Sequence, residues 1–309
     1  MDRLEAMSVL VAAVETGSLS AASRKLRTPL PTVSRKVSEL EAHLGTRLLV
    51  RSTRRLALTD AGAAYVAACR RILEQVGEAE RAASGEYNAP RGELIVTAPL
   101  AFGRLHVLPV VDDFLALFPQ INVRLVLADR NVHLIDDQID MAVRIGALPD
   151  SRMVATRVGF VRRVVCSSPA YFAAHGTPKA PEDLSGLDCV AFDALESATE
   201  WLFPKARPVP VRPRLSVNTA EAAIDAAVAG VGITRVLSYQ AARAVQDGKL
   251  QIVLTAFEPD PAPVHLVHAA QGTLPLKMRA FLDFAAPRLR QALAALASAH
   301  SGSVVPLIP

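Results

Sequence analysis

Apolar positions in the first sixty residues recur every three or four places, and the polar residues between them divide the pattern into short helices. Leu4, Met7, Leu10, Val11 and Val14 predict an amphipathic helix over residues 2–16, ended by Gly17. Ser18 suits the cap of a second helix that buries Ala21, Ala22 and Leu26, and small alanines let two helices cross closely. Thr28 is placed to cap a third. Pro29 would take its first position, and Pro31 still falls within the first turn, where a missing N–H breaks no internal bond. Val33, Val37, Leu40 and Leu44 form its apolar face and Gly45 its stop. The opposite face carries Thr32, Ser34, Arg35, Lys36 and Ser38, hydrogen-bonding groups of little bulk that suit a helix laid in a major groove.

The period then changes. Residues 48–50 and 56–58 read as short strands joined by Arg51-Ser52-Thr53-Arg54-Arg55, a hairpin that puts Arg51 and Arg54 within reach of phosphate or a minor groove. Thr59 starts a long helix running to about Gly85. In it Tyr65, Cys69, Ile72, Val76, Ala79 and Ala83 alternate spacings of four and three, a heptad seam that predicts helix pairing. Packing against the preceding helices would explain the same seam. Residues 84–92 contain turn formers and a proline without periodicity and read as a linker.

Beyond the linker, strand patterns (93–98, 123–128, 141–145, 156–158, 163–167, 189–192, 209–212, 215–217, 252–254, 264–268) alternate with helical ones (102–117, 132–139, 170–175, 219–229, 238–247, 276–297). Such alternation implies a mixed or parallel sheet covered on both faces. The chain leaves a first subdomain near Val164 and returns near Val264, which predicts two lobes joined by crossing strands, a hinged clamp around a small molecule. The expected division is 1–59, 60–90 as linker or dimerisation helix and hinge, and 91–300. Within the last, lobe one takes 91–163 and 265–300 and lobe two 164–264, with 301–309 a flexible tail.

Composition narrows the class. Of 309 residues 51% are hydrophobic and 21% charged, enough for a sizeable core, and the net charge is only +4, so basic character is local. It gathers at Arg24, Lys25, Arg27, Arg35, Lys36, Arg47, Arg51, Arg54 and Arg55, against Glu39 and Glu41, the electrostatic footprint of a phosphate backbone. Cys69, Cys166 and Cys189 are far apart, without metal-ligand spacing, and read as reduced buried thiols of a cytoplasmic protein. The apolar run from Met7 to Val14 is short and follows Asp2 and Glu5, which argues for a first helix rather than a signal peptide. No run reaches membrane-spanning length, so no membrane partner is expected.

Catalytic patterns do not assemble. Gly230-Val231-Gly232 follows a helix instead of a strand, and Arg235 stands where a dinucleotide loop needs its third glycine. There is no Gly-x-Ser-x-Gly, and the seven histidines make no metal-ligand arrangement; His268, beside the second crossing, is the one to watch. No enzyme, cofactor or metal is expected.

Residues 1–62 resemble the winged helix-turn-helix of LysR-type transcriptional regulators. The likeness is carried by Ala21-Ala22-Ser23-Arg24-Lys25-Leu26, Pro31-Thr32-Val33-Ser34-Arg35, Leu40-Glu41, Leu44-Gly45, Leu48-Leu49-Val50-Arg51 and Leu58-Thr59-Asp60-Ala61-Gly62. One departure is Leu30, where many relatives have glutamine. Looser matches over 93–108, 140–145, 181–184 and 229–233 resemble the effector-binding domain of the same regulators. The resemblance implies an α/β chain with an N-terminal winged helix-turn-helix, a long linker helix and a two-lobed effector domain like periplasmic binding proteins. It implies double-stranded operator DNA and a small-molecule effector as partners, a homo-dimer or homo-tetramer, and RNA polymerase as a further candidate. Pairing also makes physical sense, since one recognition helix reads few bases. Tyr65, Cys69, Ile72, Val76 and Ala79 would form the dimer seam, and Thr32, Ser34, Arg35, Lys36, Arg51 and Arg54 would meet DNA.

Ligands in open α/β sheets sit beyond the carboxyl ends of strands. That rule, with the resemblance, points to Pro99, Leu100, Ala101 and Phe102 after the first strand, Arg144 after the third, Ser167 at the crossover, and Asn218 and Thr219 before a helix. Helix starts at Phe102 and Thr219 would offer amides to an anion. Relatives often have Ser or Thr after the first strand, so Pro99-Leu100 disfavours a simple carboxylate and admits an apolar or aromatic effector. The rival reading is a cytoplasmic solute-binding or α/β enzyme domain carrying an incidental basic N-terminal domain.

Overall fold

The computed structural model describes residues 1–51, 56–83, 89–129, 134, 137, 139–148, 153–193, 199–204, 207–270 and 274–301. They form two compact units, Met1–Ala89 and Pro90–Pro309.

The first unit is built from α1 (Arg3–Thr16), α2 (Leu19–Leu26), α3 (Leu30–Leu44), β1 (Leu49–Arg51), β2 (Leu56–Leu58) and α4 (Asp60–Ala83). Caps set the helix starts: Asp2 Oδ1 accepts the Leu4 and Glu5 amides, Ser18 Oγ the Ala21 amide, and Thr59 Oγ1 the Gly62 amide. Thr28 does not cap α3. The helix begins one residue later than expected, Pro29 takes the extended cap conformation, and the Thr28 hydroxyl donates back to the Leu26 carbonyl. Val33, Val37 and Leu40 are buried as predicted, while Leu44 is 37% exposed. In α1 the inward set differs from the expected one. Ala6, Val9, Leu10 and Ala13 are buried and Leu4 is exposed, because α2, α3 and α4 all pack on α1 and small residues occupy the crossings. β1 and β2 pair antiparallel, Leu49 opposite Leu58. Glu41 Oε1 accepts the amides of Leu48 and Leu49 at 2.8 and 3.0 Å, tying α3 to the first strand. Gly62 is required where α4 begins, since a Cβ there would lie 2.0 Å from the Leu48 carbonyl oxygen.

The second unit runs β3 (Gly92–Ala98), α5 (Leu100–Phe102), a π-helical turn (Gly103–Val107), α6 (Leu108–Leu117), β4 (Ile121–Leu127), β5 (Met141–Ile145), β6 (Met153–Val161), β7 (Arg163–Ser167), α7 (Pro169–His175) and a 3-10 turn (Pro181–Gly186). It continues through β8 (Asp188–Phe192), β9 (Glu200–Trp201), β10 (Val209–Pro210), β11 (Arg212–Val217), α8 (Ala220–Val228), β12 (Ile233–Leu237), α9 (Ser238–Gln246), β13 (Gln251–Val253), β14 (Ala262–Ala269) and α10 (Leu276–Ser301). The helix expected at 132–139 falls mostly outside the described residues, as does nearly all of the tail.

Two five-stranded sheets result, ordered β4-β3-β5-β14-β6 and β11-β8-β12-β7-β13. β3 pairs parallel with β4 and β5, and β14 closes the first sheet antiparallel to β5 and β6. In the second, β8 pairs parallel with β11 and β12, while β7 runs antiparallel to β12 and β13. The chain therefore crosses between sheets twice, from β6 to β7 through Arg162 and from β13 back to β14. The two crossings are tied together: Arg162 Nη1 meets the Glu258 carboxylate at 3.1 Å, and Arg162 and Ser238 exchange backbone and hydroxyl hydrogen bonds. α10 is moored to the first sheet by Lys277, only 5% exposed, which donates to the Glu93 carbonyl and lies 3.8 Å from the Asp140 carboxylate. That carboxylate in turn accepts the Ile95 amide. The turn between α8 and β12 lies against β8, where a Cβ on Gly232 would fall 2.5 Å from the Asp188 carbonyl oxygen. Gly232 thus serves close packing, while Gly230 holds a left-handed backbone (φ 77°).

Candidate nucleic-acid and effector interfaces

The exposed face of α3 follows from its buried one. Val33, Val37 and Leu40 hold the helix down, so Leu30, Pro31, Ser34, Arg35 and Ser38 turn toward solvent to differing degrees. The Arg35 side chain is 65% exposed and meets Glu39 one turn on, at 3.1 Å. Ser34 and Thr32 are half-buried. Lys36 is placed otherwise than its sequence position suggests: its side chain is only 14% exposed and pairs with Glu5 of α1. That pair ties α3 to α1. Nearby on α2, Arg24, Lys25 and Arg27 are exposed, and Lys25 Nζ meets Glu15 at 2.8 Å. Arg27 holds a left-handed conformation (φ 51°) as the residue that ends α2. Arg51 ends β1, its side chain outside the described part, and Arg54 lies outside the described residues altogether.

α4 divides the expected heptad seam. Cys69 is fully buried in the core of its own unit with Val66, and Tyr65 and Leu73 pack at the edge of that core. Burial pushes the Cys69 thiol and the Tyr65 hydroxyl above their usual ranges. Ile72 is 38% exposed, Val76 half-buried and Ala79 exposed. The upper seam thus serves the chain's own core, and only the lower part remains for a second helix.

In the second unit the expected cleft residues separate into two groups. Pro99 and Leu100 are half-buried after β3, but the helix begins at Leu100 rather than at Phe102. The Leu100 amide donates to Asp129 Oδ1 at 2.9 Å. A carboxylate from the end of β4 already occupies the place where an anionic ligand would sit. Ala101 and Phe102 are buried, 4% and 0% exposed, and act in packing. Ser167 is likewise fully buried, its hydroxyl donating to the Gly232 carbonyl at 2.8 Å. Arg144 stands half-buried near the end of β5, opposite His265 of β14, and burial lowers its guanidinium pKa. Asn218 is exposed, and Thr219 caps α8 through its hydroxyl.

The contacts that bring the two sheets' helices together join Phe102, expected in the cleft, to residues without a sequence signal. Phe102 packs edge-on to Tyr239 of α9 with ring centroids 5.2 Å apart, and His106 lies 4.9 Å from Phe102 and 5.6 Å from Tyr239. Beside them Arg104 reaches Glu221 of α8 at 3.3 Å. Burial raises the Tyr239 hydroxyl, reinforced by the charges of Asp129 and Glu221, and burial lowers the His106 imidazole. Among the described residues, His106 Nε2 and Glu221 Oε2 are buried polar atoms without a hydrogen-bond partner.

No group of three metal-ligating side chains occurs among the described residues, and none of their helices alone is long and apolar enough to cross a membrane. His268 is buried with Nδ1 against the Ala269 carbonyl. All three cysteines are buried and unpaired, and burial pushes the Cys166 and Cys189 thiols up to about 12, so neither carries thiolate for redox chemistry.

Comparison with known proteins agrees with this division. Residues 4–63 match the model of the bacterial regulatory helix-turn-helix proteins of the lysR family, and residues 88–290 match that of the LysR substrate binding domain. An HTH-type transcriptional regulator of Xanthomonas campestris is 36% identical over 91% of this chain and 84% of its own length. An HTH-type transcriptional repressor of Pseudomonas aeruginosa is 34% identical over 92% and 91%. The solved structure of CrgA, a LysR-type transcriptional regulator from Neisseria meningitidis, superposes with a TM-score of 0.59 at 32% identity, covering 92% of this chain and 98% of that one.

Proposed function

The chain belongs to the LysR family of DNA-binding transcriptional regulators with an effector-binding domain, and from that premise we propose how it reads DNA, pairs and responds. α3 is the recognition helix. Ser34 and Arg35 meet base edges, Thr32 sits beside them, and Arg51 and Arg54 of the hairpin hold phosphates. The single observation that carries this reading is the division of α3, with three fully buried apolar residues behind a small polar face that ends in an exposed guanidinium. Two copies pair through the lower part of α4, at Ile72, Val76 and Ala79, to form a dimer or a dimer of dimers, and the protein works on genomic DNA in the cytoplasm. Ile72→Glu would put an unpaired charge into that interface. Sedimentation should shift toward monomer, and an unaltered dimer would move the interface elsewhere.

The effector binds between the two lobes near Pro99, Leu100, Arg144, Asn218 and Thr219. Asp129 at the start of α5 repels a carboxylate at that end, and half-buried Pro99 and Leu100 together with the Arg144 guanidinium favour a compact, partly aromatic molecule with one acidic or polar group. Its action is to favour one arrangement of the lobes, and it shifts that equilibrium only by its difference in affinity for the two. A thermal-shift screen of small aromatic acids, aldehydes and quinones finds the ligand, and operator binding by fluorescence anisotropy measures the response. Asn218→Ala and Arg144→Ala should lose the response and keep basal operator binding. Variants that respond like wild type would place the effector elsewhere.

A further inference from the structure

α3 buries Val33, Val37 and Leu40 against its own unit and leaves an exposed leucine at each end, Leu44 at its stop and Leu30 at its start. Val33, Val37 and Leu40 are at most 1% exposed, whereas Leu30, in the first turn, is 42% exposed. Leu30 shares a four-residue stripe with Ser34 and Ser38, and exposed Pro31 stands beside it in line with Arg35. No side chain caps this helix start. The surroundings are cationic, with Arg24, Lys25, Arg27 and Arg35 exposed on the same two helices. An exposed apolar side chain at the start of a helix, on a helix pair that exposes four cations, fits a partner that is polyanionic outside and offers a small apolar group within reach of a helix start. The major groove has one such group, the C5-methyl of thymine, and helices of this motif meet base edges with their N-terminal residues.

We propose that Leu30 is a specificity-determining residue that reads the 5-methyl group of a thymine in each half-site, one turn before the bases met by Ser34 and Arg35. The inference rests on α3 being the recognition helix and adds an apolar, methyl-directed contact to it. Leu30 is not among the residues of its unit's apolar core, so Leu30→Ala should keep the fold, and equal thermal unfolding of Leu30→Ala and wild type checks this.

The test uses the full-length protein and a duplex that it selects from random sequence. Each thymine of the half-site is replaced in turn by deoxyuridine, which removes the methyl and keeps the pairing. One position should weaken wild-type binding roughly four-fold, the worth of one buried methyl group. Leu30→Ala should weaken binding to the unmodified duplex and be indifferent to deoxyuridine at that same position. The proposal is overturned if Leu30→Ala binds as tightly as wild type, or if its loss and the deoxyuridine loss simply add at every position. A loss for Leu30→Ala that varies with protein concentration and not with thymine would assign Leu30 to contact between copies. Arg35→Ala separates the underlying reading. If it still discriminates the selected duplex fully, α3 is not the reading helix; if it fails to while Leu30 shows no coupling, only the methyl contact is wrong.

Discussion

Two helices in this chain open with the same dipeptide and come to different ends. Pro29-Leu30 starts α3 and Pro99-Leu100 starts α5, with nearly the same proline conformation: φ −54° and ψ 137° in one, φ −54° and ψ 141° in the other. At α5 a carboxylate from β4 takes the Leu100 amide, and Phe102 two residues on is wholly buried. At α3 Leu30 is exposed, Thr32 is half-buried, no side chain caps the start, and α2 and α3 expose Arg24, Lys25, Arg27 and Arg35. A helix start draws anions through its free amides and its dipole. The local sequence sets up that potential twice. What neighbouring elements set against it decides whether it is satisfied within the chain or left for a polyanion.

Emptying the sealed end should have the largest effect. Phe102→Ala removes a fully buried ring between His106 and Tyr239 and should cost about 3–5 kcal/mol in unfolding of the second unit. Thr32→Ala, at the matching place in α3, should cost well under 1 kcal/mol, as at other partly exposed positions. Chemical denaturation followed by near-ultraviolet signals measures both, and equal costs would dissolve the contrast.

Asp129→Ala takes away the seal alone. Loss of a capping carboxylate costs about 1 kcal/mol, and Asp129→Asn should recover most of it because its carbonyl can still accept the Leu100 amide. If both variants are as stable as wild type, the carboxylate is not what closes this helix start.

The smallest effect is in the pH profile. His106 titrates below its ordinary 6.5 because burial disfavours the imidazolium. The unfolded chain therefore binds the proton more readily, and stability present above pH 6.5 declines as the pH falls below it. Thermal unfolding of His106→Phe between pH 7 and 5 should fall less steeply than that of wild type. Equal slopes would remove His106 as the cause.

The first unit was the more legible because its signals are local. Ser18, Gly45 and Thr59 cap or stop helices through atoms within a few residues. In the second unit the alternating apolar positions still place β3, β5 and β7 within a residue of where they lie. Thr28 misled because a proline that begins in extended conformation moves the helix start past it. The π-helical turn at Gly103–Val107 follows from no periodicity and interrupts the helix expected over 102–117. The heptad seam of α4 looked uniform because a spacing of four and three cannot say whether the facing helix belongs to the same chain. The seam between lobes was invisible, since Asp129, Glu221 and Tyr239 are far from Phe102 in sequence and meet it only through tertiary packing.

The central claim is that sequence is read by the open face of α3, and a paired titration of wild type and Arg35→Ala tests it most directly. Both proteins are titrated by anisotropy onto the selected operator and onto a scrambled duplex at the same salt. A base-reading arginine predicts a loss of about 1–3 kcal/mol on the operator and little change on the scrambled duplex. An equal loss on both duplexes would make Arg35 a phosphate contact, and no loss on either would mean that α3 does not read the operator.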